Sequence, residues 1–450
     1  MEKTELLEGD MKRIFLKYLI PSVGGMLGVS LYVLGDTIIV GRGIGSVGLA
    51  ALNISIPMIN VFNGLGLLFG MGASTAISIS RGRGDERQVN NIFTISVILT
   101  ILAGLILTAI RVFFLDELCL LLGASTDTFA MSRDYLGVIM TFSPMFLLNY
   151  TLTVLIRNDG SPNLSMWGML TGSIVNVILD YIFIFIFGWG MWGAALATSF
   201  SPILGLLILS AHFITKKNKM KFTKIKLNVS ILKRILSNGF ASFVVEISAG
   251  VVIFIFNIVI LGLNGDIGVS AYSIIANLSL IATAIFTGIG QAIQPIVSVN
   301  FGAKKIERVY EAGKLAIYTS LGLGILFYMV GLLFPEFLVS MFSKGDKALL
   351  DITVKGIKIY FMSFILMGIN IVLTSYLQSK EYAKASMMIS LLRGFIFTVV
   401  YLLILSRIFG ITGVWMTLPL AELSTIILSV ILSFNCRKII FYSIKNIRTK

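Results

Sequence analysis

Residues 45–54 read GSVGLAALNI and residues 265–274 read GDIGVSAYSI, with Gly, Gly, Ala and Ile at four shared positions. At the same offset of 220 residues, Gly70, Ser78, Gly82 and Val89 match Gly290, Ser298, Gly302 and Val309 without a gap. Further along, Gly190 and Gly193 match Gly410 and Gly413. A register held this constantly marks a duplicated unit.

Each copy is a string of long apolar runs. The chain of 450 residues is 56% hydrophobic and 13% charged, with a mean hydropathy of +0.94. Soluble domains average roughly 45–50% apolar and about 25% charged, and about 20 apolar residues cross a bilayer. Reading the runs between charged or Gly/Pro-rich breaks predicts spans at 14–39, 48–80, 90–114, 131–156, 164–188 and 190–214. The second copy gives 236–262, 269–299, 310–333, 353–378, 386–407 and 410–434. The expected fold is an all-α membrane protein of twelve transmembrane helices in two parallel six-helix lobes, embedded in the lipid bilayer. The expected divisions are a cytoplasmic N-terminal segment (1–13), an N-terminal lobe (14–215), a basic linker (216–235) with an amphipathic 225–236, a C-terminal lobe (236–434) and a basic tail (435–450). Parallel six-helix repeats rock around a shared central site in known transporters.

The charges orient the chain. There are 36 Lys and Arg against 22 Asp and Glu, a formal +14. With a cytoplasmic N terminus, 28 of the 36 basic residues fall on the inner side and 8 on the outer. Short loops rich in Lys and Arg stay inside, so both termini are expected in the cytoplasm. Basic helices interleaved with stacking aromatics are missing, which argues against a nucleic-acid partner. One His (His212) and two Cys (Cys119, Cys436) exclude a Cys/His metal site and a disulfide framework. Gly43-Ile-Gly45-Ser-Val-Gly48 fits a dinucleotide fingerprint but lies in a loop between spans rather than in a βαβ unit, and no phosphate-binding G-x-x-x-x-G-K-[ST] occurs. The chain is therefore expected to be neither an enzyme nor a nucleotide hydrolase, and to need no cofactor beyond a coupling ion. His212, at the cytoplasmic end of the sixth span, reads as an interface residue.

Four acids lie well within spans: Asp36, Asp180, Glu246 and Glu422. An ionisable group at a helix centre costs from about 2.5 kcal/mol upward and faces a cavity or a partner. Arg111 and Arg393 fall near predicted helix ends, so the interior carries net negative potential and suits cations. Asn176 and Asp180 stand one turn apart on one face, as do Tyr32 and Asp36. Pro21, early in the same helix, removes a backbone hydrogen bond and favours a kink. Glu422 has no evident partner in the sequence.

These residues resemble the multidrug and toxic compound extrusion family, in particular its bacterial multidrug-export branch. The likeness is carried by Pro21, Leu31-Tyr32 with Asp36, Val40-Gly-Arg-Gly43, Arg157-Asn-Asp-Gly-Ser-Pro162, Asn176 with Asp180, and Gly193-Ala-Ala-Leu-Ala-Thr198. Gln294-Pro295 and Arg393 support it in the second half. The resemblance implies a cation or proton site, for H⁺ or Na⁺, formed by Asp36, Asn176, Asp180 and Thr198 with Tyr32 beside it, and a first helix that bends at Pro21. Some members bind a cation in the C-terminal lobe through a seventh-helix Glu and a tenth-helix Asp. Glu246 matches the former as a candidate second-lobe coupling or substrate residue, while the span 353–378 holds no carboxylate. The expected protein is a monomeric secondary exporter in the bacterial plasma (inner) membrane that antiports organic cations and drugs against inward H⁺ or Na⁺. The alternative, a flippase for a lipid-linked saccharide, would call for cavity Arg or Lys to meet a pyrophosphate.

Overall fold

In lipid every backbone amide must be satisfied within its own segment, so apolar runs of this length become helices. The computed structural model describes residues 2–224, 229–342 and 347–432, and among these every long apolar run is helical. A short helix, Glu2–Glu8, precedes the first span, Met11–Gly43. The second and third spans are Ser46–Arg83 and Glu86–Leu121. Asp85 starts the third, its carboxylate accepting from the Gln88 amide at 3.0 Å, which satisfies one of the unpaired first-turn donors. The fourth is a pair, Phe129–Thr141 and Ser143–Asn158, bent by 54°. The fifth, Pro162–Tyr181, runs on through a π-helical turn at Ile182–Ile186, and the sixth is Gly190–Ile214.

The second copy opens with one continuous helical run of 74 residues, Val229–Gly302. Gly265, at φ 60°, ψ −154°, breaks it into a seventh span (229–264) and an eighth (266–302). Then follow Ile306–Leu333 and the pair Lys347–Tyr360 with Ser363–Gln378, bent by 46°. The eleventh span is Ala383–Leu391, a π turn at Leu392–Ile396 and Phe397–Phe409; the twelfth is Ile411–Leu432. With the two bent pairs counted as one span each and the long run as two, the described residues hold the twelve expected. The tenth begins about six residues earlier than the apolar run, because Lys347–Tyr360 is amphipathic.

The repeat is visible in the bonding. Ser165 Oγ donates to the Thr153 carbonyl at 2.8 Å, and Ser386 Oγ, 221 residues on, donates to Thr374 at 3.2 Å. Gly45 and Gly265 both have positive φ, as do Gly190 and Gly410. Gly104 packs against Pro144, and Gly324 against Phe364 and Ile365.

The chain divides into two units, but not at the basic linker. One holds Ile20–Ile247, the other Thr4–Leu19 and the described residues from Ser248 onward. The division by contacts falls at Ile247/Ser248 rather than at the expected linker 216–235, and the start of the first span groups with the second unit. The cause is a pair of glycines. A Cβ on Gly239 would stand 1.8 Å from the Leu68 carbonyl, and one on Gly72 would stand 2.0 Å from that of Ile235. Only bare backbones approach this closely, so the first turns of the seventh span pack on the second span within the first unit. In the second unit Asn300, Lys305 and Arg308 donate to the carbonyls of Leu6, Leu7 and Gly9, closing the C-terminal end of the N-terminal helix.

The linker is docked along residues 216–224. Alternate amides of Lys219, Lys221 and Thr223 donate to Asp159 Oδ2, Asn90 Oδ1 and Thr94 Oγ1 at 2.7, 2.8 and 3.1 Å. Met220 is fully buried and the Phe222 ring packs on Phe93 at 4.9 Å. Residues 225–228 of the expected amphipathic stretch lie outside the described residues, as do Cys436 and the tail from 433 onward.

Candidate functional site

Small residues bring three helices of the first unit together. Along the first span, Gly24, Gly25, Gly28 and Gly35 lie against Met166, Met169, Leu170 and Val177 of the fifth. Gly168 and Gly172 let the fifth approach Leu209 and Ser201 of the sixth. The seam of these contacts carries the polar residues. Asp36 is 8% exposed, Thr198 6%, and Asn176 and Asp180 are fully buried.

The carboxyl groups of Asp36 and Asp180 stand within hydrogen-bonding reach of each other, with Tyr32 in the field of both. With its amide set by its neighbours, Asn176 donates from Nδ2 to Asp180 Oδ2 at 3.1 Å and accepts the Thr198 amide at 3.2 Å. Thr198 Oγ1 donates to the Ala194 carbonyl at 3.0 Å and lies 3.4 Å from the Tyr135 hydroxyl. Asp36 Oδ1 and Asp180 Oδ1 are buried without a hydrogen-bond partner. Two adjacent carboxylates cannot both stay charged in a dry site without a cation, so a pair so placed can hold a proton or a small positive ion. Among the described residues, no cluster of three or more His, Cys, Asp or Glu could take a metal ion.

Of the five residues expected at the site, Asp36, Asn176, Asp180 and Thr198 lie together along this seam, with Tyr32 near enough to feel the charge of both acids. Tyr135, fully buried on the fourth span, was missed. No spacing could have revealed it, because its partner Thr198 is 63 residues away on another helix. Pro21 lies inside one unbroken helix, so the structure places no break there.

Glu246, expected as a second-lobe residue, belongs to the first unit, beside Asn63 and within range of Tyr150. Glu422, for which the sequence offered no partner, is 2% exposed and has two: Arg393 Nε donates to Oε1 at 2.7 Å and Asn370 Nδ2 to Oε2 at 2.6 Å. Arg393 is not at a helix end either. It sits in the π turn within the eleventh span, so the interior has a base where none was expected.

His212 is likewise no interface residue. It is fully buried, with Nε2 2.9 Å from Asp159 Oδ2, while Arg81 Nη2 meets Asp159 Oδ1 at 2.5 Å. Burial opposes the charge on Asp159, but the His212 hydrogen bond, the Arg81 charge and the Lys219 amide outweigh it and hold the carboxyl below its usual range.

A duplicated six-span unit with a buried carboxylate pair in its first copy defines the class: an integral, multi-pass membrane transporter. The chain belongs to the MatE family, whose profile matches residues 21–182 and 241–404. It is similar to the multidrug export protein MepA of Staphylococcus aureus strain N315, 30% identical over 378 residues covering 83% of this chain and 82% of that one. The MepA of Staphylococcus saprophyticus is 28% identical over 376 residues, with the same coverage. Among solved structures, an outward-facing multidrug resistance MATE transporter of the MOP superfamily superposes with a TM-score of 0.91 at 23% identity, covering 99% of both chains. A MOP-superfamily transporter from Pyrococcus furiosus gives 0.89 at 22%, covering 98% of this chain and 99% of that one. Both share the fold.

Proposed function

We propose that this protein exports organic cations and drugs from the cytoplasm by alternating access, driven by inward protons bound at Asp36 and Asp180. The observation that carries the reading is the meeting of these two carboxyl groups in a buried seam, each with one oxygen left unpaired. We read the coupling ion as H⁺ because two adjacent buried carboxyl groups can share a proton without any further ligand. Both termini face the cytoplasm in this reading, and the resemblance to drug exporters supplies the substrate class.

Exchange of one proton for one monovalent cation moves no net charge, so only the pH gradient drives it. Two protons per cycle, one per carboxylate, would add about 2.3 kcal/mol for each 100 mV. Everted vesicles carrying the protein and given a fluorescent organic cation test the proposal. A pH gradient should drive uphill accumulation, a Na⁺ gradient alone should not, and Asp180→Asn should abolish it. Undiminished transport by that variant would overturn the site assignment. Acceleration by a valinomycin-set potential is expected if both carboxylates load.

A further inference from the structure

The Glu422 cluster in the second unit lies outside this proton site. Its three members come from three spans: Asn370 from the tenth, Arg393 from the eleventh and Glu422 from the twelfth. Asn370 Nδ2 holds both the Glu422 carboxylate, at 2.6 Å, and the Glu422 backbone carbonyl, at 3.0 Å. With that amide on Oε2, Arg393 does not make the usual two-pronged pair with the carboxylate. It makes a single contact, Nε to Oε1 at 2.7 Å. Nη1 and Nη2 find no acceptor among the described residues. The Arg393 side chain is 16% exposed and that of Glu422 3%, so the buried carboxylate anchors the guanidinium by its inner edge and leaves the outer edge open.

Asn370 supplies a second, independent sign of an unfilled site. It is fully buried, yet its Oδ1 has no partner. Buried polar atoms are nearly always satisfied. A π turn carries Arg393, and such bulges recur at functional sites. A guanidinium in mid-span does not turn its open edge to lipid.

We propose that Arg393 is the recognition point for a carboxylate on the transported molecule, the residue that sets a preference for carboxylate-bearing over esterified organic cations. The outer guanidinium edge offers two parallel N–H donors to a carboxylate, the geometry that arginine provides and lysine does not. Glu422 and Asn370 act as positioning residues that fix the inner edge. The proposal rests on the exporter reading for its substrate class, but not on which ion drives transport.

Dye binding to the purified full-length protein tests it, by fluorescence anisotropy with rhodamine B, which carries a free carboxylate, and with its ethyl ester, which does not. Wild type should bind rhodamine B about tenfold more tightly than the ester, in line with a charge-assisted contact. The double variant Arg393→Gln/Glu422→Gln, which removes both charges together, should erase that preference. Glu422→Gln alone, which frees the guanidinium from its anchor charge, should strengthen rhodamine B binding. If the ratio of the two affinities is the same in wild type and the double variant, or if Glu422→Gln leaves rhodamine B binding unchanged, the proposal is overturned. Should the double variant fail to fold, the Glu422→Gln measurement decides. Failure of the exporter reading shows separately, as absence of ester transport in everted vesicles.

Discussion

Asn176 determines what its neighbours can do. Its side chain is spent on Asp180 and on the Thr198 amide, so it fixes the carboxyl that it touches. Asn176→Ala leaves that fully buried acid without its donor, a loss worth about 1–3 kcal/mol. Uphill export is expected to fall at least tenfold in vesicles, while the melting temperature in detergent drops by only a few degrees. Asp159 is the other decisive carboxylate. Asp159→Asn strips Arg81 of its buried counter-charge and should cost about 3–5 kcal/mol, read as a lowered melting temperature. The sign of its pH dependence follows from a carboxyl held low in the folded protein. Its stabilising contribution is complete above the unfolded-state value of about 3.9 and is lost as pH falls through the lower folded value. The melting temperatures of wild type and Asp159→Asn should therefore draw together progressively as pH falls below about 4. The pair Asn176 and Asp180 was legible in the sequence because one helix carries both. Arg393 and Glu422 were not, since 29 residues and a change of helix separate them. His212 misled for the same reason, its partner lying 53 residues back.

Among the helices, glycine decides where the chain changes allegiance. Gly239 has the Leu68 carbonyl where a Cβ would go, whereas Gly262, later in the same helical run, has open space. Gly239→Ala should force the second and seventh spans apart and cost about 3 kcal/mol. Gly262→Ala should be neutral or stabilising by up to about 1 kcal/mol. Thermal unfolding of the two variants side by side checks this. The sequence disclosed the spans themselves, because hydropathy reports burial in lipid directly. It did not disclose that the seventh span begins in the first unit, because the close approach depends on which glycines face each other. Nor did the lysine-rich composition of residues 216–224 reveal a docked segment, since its bonds run from backbone amides to side chains on the third span and at the end of the fourth.

For the molecule as a whole, the distribution of basic residues makes a directional statement that can be measured. With Cys119→Ala and Cys436→Ala in place, a cysteine introduced at Lys217 should react with an impermeant maleimide only after intact cells are permeabilised. One introduced at Asp127 should react before. The reverse pattern would turn the whole topology over. The duplication was legible from matched glycines, and the structure gives those matches their meaning as shared bends and shared Ser-to-carbonyl bonds.

The placement of residues 4–19 with the second unit also sets a timetable for synthesis. Arg308, which holds the Leu6 carbonyl, lies 302 residues downstream of it. At roughly 5–20 residues per second, the ribosome needs about 15–60 s to deliver that partner after the N terminus has emerged. The first unit can close as soon as Ile247 has been inserted, but the leading segment must wait, undocked, for the second half to arrive. Its docking is thus a late event that reports completion of the chain. A nascent protein stalled before residue 300 should show its N-terminal helix open to protease, and release of the stall should protect it.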